Sequence, residues 1–98
     1  MKAYVVKVTY LEGIHEGKTY YLDRRGYVRE NLVGIWKEDT YTLRGCKIAC
    51  TRKTKENDFE VNFEMRDRSQ KLAAGKNVSK YPIYILSKYE PFEVETVD

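Results

Sequence analysis

The sequence predicts an α+β fold: a small antiparallel β-sheet, made of an N-terminal hairpin and a C-terminal strand, packed against one or two α-helices. Three observations predict it. Residues 3–11 read AYVVKVTYL, with Tyr4, Val6, Val8 and Tyr10 alternating with Val5, Lys7, Thr9 and Leu11, the period of two that marks a strand. Between Tyr41 and Glu56, at about 100° per residue, Leu43, Cys46, Ala49 and Cys50 fall on one side of a helix. Residues 81–89, YPIYILSKY, are again rich in strand formers. A chain of 98 residues, 42% of them apolar and 34% charged, forms one domain with a thin core.

The first strand, from Ala3, is followed by Glu12-Gly13-Ile14-His15-Glu16-Gly17-Lys18, whose two glycines mark a loop. Thr19-Tyr20-Tyr21-Leu22 is the second strand and completes a hairpin with a longer loop than the tight two-residue kind. Asp23-Arg24-Arg25-Gly26 reads as a turn, and Tyr27-Val28-Arg29 as the start of another strand. Leu32 to Trp36 is an apolar cluster around Gly34, in which Trp36, the only tryptophan, is expected to anchor the core.

Asp39 or Thr40 is the expected N-cap of the helix from Tyr41 to Glu56. Gly45 inside it costs about 1 kcal/mol relative to alanine, which close approach to the sheet would explain. Residues 57–75 read two ways. Phe59, Val61, Phe63 and Met65 alternate with polar residues as in a strand, whereas Glu64 with Arg68 and Asp67 with Lys71 are helix-spaced ion pairs. Leu72-Ala73-Ala74-Gly75, with glycine in the usual C′ place, tilts the reading toward a second helix ending at Gly75. Lys76 to Lys80 is a loop. Tyr81 to Tyr89 is the third strong strand, with Pro82 tolerated near its start. Pro91 is expected to end the regular structure, and the acidic tail 93–98 to fray.

No stretch approaches the roughly 20 apolar residues of a membrane span, and the N-terminus enters strand pattern without the charged start and apolar run of a secretory signal. Cys46 and Cys50 are the only cysteines. Four apart on a helix, they share a face but are poorly placed to bridge, so a reduced, cytoplasmic setting is expected. With His15 they fall short of a structural zinc set, which needs four ligands in paired spacing. His15-Glu16 lies in a glycine-bounded loop with no nucleophile beside it. Gly17-Lys18 and Gly75-Lys76 lack the upstream glycine and following helix of a phosphate loop. No catalytic residue, metal ligand or cofactor is therefore assigned, and a non-enzymatic protein is expected.

The remaining signal is charge. Nine of the 18 cationic residues lie between Arg24 and Lys55, against three acidic ones, a net +6 in a chain of net +3. They resolve into a turn cluster, Arg24, Arg25 and Arg29, and a helix arc carrying Arg44, Lys47, Arg52 and Lys55 opposite the apolar side. Ile48 sits inside this arc, where an amphipathic pattern calls for a polar residue. A basic arc is often no more than a solvated helix exterior. Ile48 favours a contact surface, with phosphates or an acidic protein as its target. Tyr20, Tyr21, Tyr27 and Tyr41 offer base stacking, although sheet packing accounts for most of the nine tyrosines.

The segments Tyr4-Val5-Val6-Lys7-Val8-Thr9-Tyr10, Glu16-Gly17-Lys18-Thr19-Tyr20-Tyr21-Leu22 with Gly26-Tyr27-Val28, and Tyr84-Ile85-Leu86-Ser87-Lys88-Tyr89-Glu90-Pro91-Phe92 resemble small proteins of Gram-positive prophages and mobile elements. The resemblance covers about a third of the chain, in short strand segments, and brings no catalytic residues. It implies an accessory protein that binds and blocks a host machine, anti-CRISPR proteins being the leading example. Many of those mimic DNA with acidic surfaces; this chain departs from them in being basic. The expected partner is a host protein or ribonucleoprotein with an acidic or nucleic-acid surface, contacted by Arg24, Arg25, Arg29, Arg44, Lys47, Ile48, Arg52 and Lys55. The alternative is a stand-alone module that binds DNA or RNA. No membrane partner is expected, and the oligomeric state stays open.

Overall fold

The computed structural model describes residues 2–97. Four strands, β1 (Ala3–Tyr10), β2 (Thr19–Leu22), β3 (Val28–Arg29) and β4 (Ser87–Val94), form one antiparallel sheet in the order β3-β2-β1-β4. One helix, α1 (Leu43–Ala73), crosses it. The expected α+β arrangement is present, with a single α-helix among the described residues.

The alternation in β1 sorts its side chains to two faces. On the helix side, Val6 and Val8 pack with Cys46 and Cys50, and Tyr4, Tyr20, Leu22, Tyr41, Ala49 and Tyr89 close around them. On the other side Ala3, Val5 and Val94 pack with Ile35, flanked by Tyr21, Leu32 and Phe92. Val5, Val8, Ile35 and Cys46 are fully buried. The core residue of the 32–36 cluster is thus Ile35, and Trp36 is 54% exposed. Gly34, at φ +79°, turns the chain so that Ile35 enters the core. Trp36 then continues in extended backbone, where successive side chains point to opposite sides.

α1 begins at Thr42, not at Asp39 or Thr40. The Thr42 hydroxyl accepts from Gly45 N at 3.1 Å, satisfying one of the free N–H groups of the first turn. Asp39 instead closes a 3-10 turn at Lys37–Asp39, and Thr40 Oγ1 donates to Lys37 O. Gly45 serves this cap: a Cβ there would sit 3.1 Å from Thr42 Oγ1, and the sheet is not what crowds it. A short bridge between Tyr4 and Tyr41, Tyr41 N to Tyr4 O at 2.7 Å, fixes the start of the helix against the start of β1. At the far end Gly75 adopts φ +74°, Gly75 N bonds Leu72 O and Lys76 N bonds Lys71 O. This is the Schellman closure that a glycine at C′ allows.

The helix does not stop near Glu56. It runs for 31 residues, or about 46 Å at 1.5 Å per residue, whereas the eight residues of β1 span about 27 Å. Its second half therefore projects beyond the sheet, and the alternation of Phe59, Val61, Phe63 and Met65 is not a strand. The radius of gyration is 16.4 Å, with extents of 56 × 23 × 19 Å, against about 13 Å for a compact chain of 100 residues.

Residues 76–86 return along this arm. The expected strand from Tyr81 is displaced: Tyr81 to Leu86 are irregular and β4 starts at Ser87. Two side chains of α1 hold the return. Asn57 Nδ2 donates to Ile85 O and Asn57 Oδ1 accepts from Ser87 N, both at 2.9 Å. One heptad on, Glu64 accepts from Ile83 N at 2.8 Å and Tyr84 N at 3.0 Å. Those two backbone N–H groups hold the Glu64 carboxyl below its ordinary pKa. Held this way, residues 83–85 are drawn to α1, and only Leu86, whose carbonyl accepts from Leu11 N at 2.9 Å, extends the ladder past β1. Pro91 does not end the strand but sits inside β4 opposite Val6, tolerated because β4 is an edge strand. Glu93 and Val94, expected to fray, pair with Tyr4 and Ala3, and Val97 N bonds Ile35 O at 3.1 Å. Asp98, the last residue of the tail, and Met1 lie outside the described residues.

Candidate functional site

The turn cluster and the helix arc part company in the structure. Arg29 Nε donates to Asp23 Oδ2 at 2.9 Å, and its Nη2 reaches Asp39 Oδ2 at 3.4 Å. Arg25 Nε lies 2.8 Å from Asp39 Oδ1, and its Nη2 is 3.7 Å from Glu38. The Arg25–Asp39 contact is ionic only, since no hydrogen bond reaches Asp39 Oδ1. Asp23 and Asp39 are buried, and Asp23 Oδ1 also accepts from Arg25 N and Tyr27 N, shaping the β2–β3 turn. Arg25 and Arg29 thus neutralise buried carboxylates of their own chain, which would be costly to leave unpaired. Arg24 is exposed, and with Arg52 it borders a cleft of about 230 Å³ between this turn and α1.

The helix residues are brought together. Lys47, Ile48, Thr51, Arg52 and Lys55 line one shallow depression on the outer surface of α1. The sheet and the 83–87 return occupy the opposite side through Cys46, Cys50, Asn57 and Glu64. With that side fixed, helical geometry at about 100° per residue places Arg44, Ile48, Arg52, Lys55, Phe59, Phe63 and Arg66 within about 60° of a single line facing away from the sheet. Lys47 lies to one side of it, about 100° round. All seven face residues are exposed, Phe59 at 69%, Phe63 at 60% and Ile48 at 53%. No Asp or Glu of α1 falls inside the same strip. Among the described residues none of Arg44, Arg52, Lys55 and Arg66 has a carboxylate within ion-pair distance; the one ion pair on α1 is Lys71 with Asp67. Phe59 and Phe63 stack on each other, with centroids 6.2 Å apart and planes 23° from parallel.

Phe59, Phe63 and Arg66 double the length of the basic arc found in the sequence, to about 33 Å from Arg44 to Arg66. They were hidden by the unresolved choice between strand and helix for residues 57–75. Their signal was the four-residue spacing of Phe59 and Phe63, which makes them neighbours only if the helix continues. The tyrosines offered for stacking are mostly engaged elsewhere. Tyr20 and Tyr41 pack on the helix-side core, and Tyr21 lies 5.0 Å from Phe92 on the other face. Burial, reinforced by Tyr10 and Tyr89, pushes the Tyr20 hydroxyl up to about 12. Only Tyr27, at 66% exposure, remains available.

The thiols belong to the core. Cys46 Sγ donates to Val5 O at 3.3 Å, and burial, then the neighbouring Cys50, raises its pKa to about 12; burial also raises that of Cys50. Among the described residues no three His, Cys, Asp or Glu side chains gather as a metal site. No helix among them is long and apolar enough to cross a membrane. No protein-family model, no curated protein and no solved structure matches the chain.

Proposed function

We propose that the chain is a non-enzymatic binding protein of the phage accessory type, which inhibits a host defence factor by docking the outer face of α1 on it. The observation that carries this reading is an exposed strip about 33 Å long that mixes cations with Ile48, Phe59 and Phe63 and holds no acidic residue. A merely solvated exterior would interleave both signs of charge and keep large apolar groups off the surface. Such a strip attracts a polyanionic surface from a distance and gives it apolar contacts on arrival. The resemblance to prophage proteins makes a nucleoprotein defence machine, such as a CRISPR nuclease with its guide RNA, the target class.

Plasmid interference measured with and without the protein, across several CRISPR systems, tests this. Interference is expected to fall in at least one system and to return with the Arg44→Glu, Arg52→Glu, Lys55→Glu triple variant. Unchanged interference in every system would overturn the assignment to CRISPR inhibition. Inhibition that survives the triple variant would overturn the assignment to this face.

A further inference from the structure

We infer that the outer face of α1 is a platform for a single-stranded polynucleotide, with Arg44, Arg52, Lys55 and Arg66 on phosphates and the Phe59–Phe63 pair stacking on bases. The inference rests on the reading above for the face that is used, and it names what that face meets.

Four considerations select this occupant. The face has one sign of charge, so a second copy of the chain docked through it would set cations against cations. Arg52 and Lys55 lie along the strip between Ile48 and Phe59, so a helix-in-groove complex with an apolar protein cleft would bury two charges to seat its anchors. An intact duplex offers phosphates to the cations but no open base face to the two phenyl rings. A single strand supplies both, a flexible line of phosphates and unstacked bases, and single-strand binding proteins combine cations and aromatics in the same way. The face is also prepared for that contact. Phe59 and Phe63 are exposed and already stacked on each other, and Asn57 and Glu64 on the opposite side tie the arm to residues 83–87, so the rings are turned outward before any ligand arrives.

Fluorescence anisotropy with labelled dT20, U20 and a mixed-sequence duplex of the same length, at several salt concentrations, tests the inference on the full chain. Both single strands should bind more tightly than the duplex, since phosphates and base faces are common to DNA and RNA. With four phosphate contacts, log K should fall against log salt with a slope of about −3. Phe59→Ala and Phe63→Ala should each weaken single-strand binding about 5- to 150-fold, the range for loss of one stacked base, and leave the weak duplex binding unchanged. Phe63→Trp should retain or raise affinity, whereas Phe63→Leu, which keeps the bulk without the ring, should behave as the alanine variant. Both positions are solvent-facing, and circular dichroism of each of the four variants should match the parent. Equal affinity for duplex and single strand, indifference to both Phe→Ala changes, or no salt-dependent binding at all would each overturn it. Absent oligonucleotide binding together with lost interference would sink the inference and leave the inhibitor standing on a protein surface. Single-strand binding with unchanged interference would do the reverse.

Discussion

Replacing Asn57 by alanine should be among the most damaging single changes available on α1, although Asn57 is polar and belongs to neither apolar cluster. Asn57 is 8% exposed and spends its amide on the backbone of the β4 entry, donating to Ile85 O and accepting from Ser87 N. Alanine removes both bonds. Ile85 O retains Ser87 Oγ at 3.0 Å, so loss of that donor costs about 1 kcal/mol. Ser87 is buried, and its N–H is left with no partner, which adds about 1–3 kcal/mol. The total is about 2–4 kcal/mol. At about 4–8 °C per kcal/mol for a domain of this size, the midpoint should drop by at least about 8 °C. Chemical denaturation followed by circular dichroism gives the energy, and amide hydrogen exchange gives the place, with Ser87 losing protection before the centre of β1. Asn57→Asp, which keeps an acceptor for Ser87 N but sets a buried carboxylate oxygen against Ile85 O, should be at least as damaging as alanine at neutral pH. A cost below about 0.5 kcal/mol, the size of an ordinary surface substitution, or unchanged exchange at Ser87, would refute the claim that this amide is what locks the helix to the strand.

Ile35→Ala should cost about 2–5 kcal/mol, as for a fully buried aliphatic side chain, while Trp36→Ala should stay within about 1 kcal/mol because the indole is largely exposed; urea titration of the two variants checks the order. Cys46 and Cys50 should resist Ellman's reagent in the folded protein at pH 8 and react together on addition of denaturant, because the reactive species is a thiolate that burial disfavours. A Cys46 pKa raised from 9.0 to about 12 means that its contribution to stability is complete below pH 9 and is lost as pH rises toward 12, so the thermal midpoint should fall across that window, and less so in Cys46→Ala. Glu64 carries the opposite sign. Its lowered pKa supports the fold above the ordinary glutamate range and loses that support as pH falls through the depressed value. Acidification should therefore release the amides of Ile83 and Tyr84 to exchange first, and Glu64→Gln, which keeps only one acceptor oxygen, should release them at neutral pH.

Much of the fold was legible because local periodicity and tertiary burial agree. The alternation in residues 3–10 placed Val6 and Val8 on one face and Val5 on the other, and both faces are covered. Cys46, Ala49 and Cys50, spaced three and one apart, share one side only if their segment is helical, and all three pack on the helix-side core. Gly75 marked the end of the helix because a positive φ is needed there. Position 35 was not legible. Ile35 and Trp36 are adjacent, and only the turn at Gly34 decides which of them enters the core. Residues 57–65 were not legible either, because a helix that leaves the sheet has no core to impose a 3.6-residue apolar rhythm on it. The positions that face the 83–87 return are filled by Asn57, which is buried, and by the half-exposed Glu64, and both bind backbone.

The same division holds for the candidate site. Sequence alone determined that positive charge concentrates between Arg24 and Lys55, and that a helix spanning Arg44 to Lys55 would set its cations against its apolar side, since both follow from residue order and helical geometry. Tertiary structure decided which cations stay available. Arg25 and Arg29 fold back onto the buried Asp23 and Asp39: Asp23 meets Arg29 across the β2–β3 turn, and Asp39 is brought to both arginines by the segment that follows β3. It also decided that α1 continues past the sheet, which carries Phe59, Phe63 and Arg66 onto the line begun by Arg44. The physical reason is that periodicity fixes where a side chain points relative to its own element, whereas the partner it meets depends on which other elements the chain brings alongside.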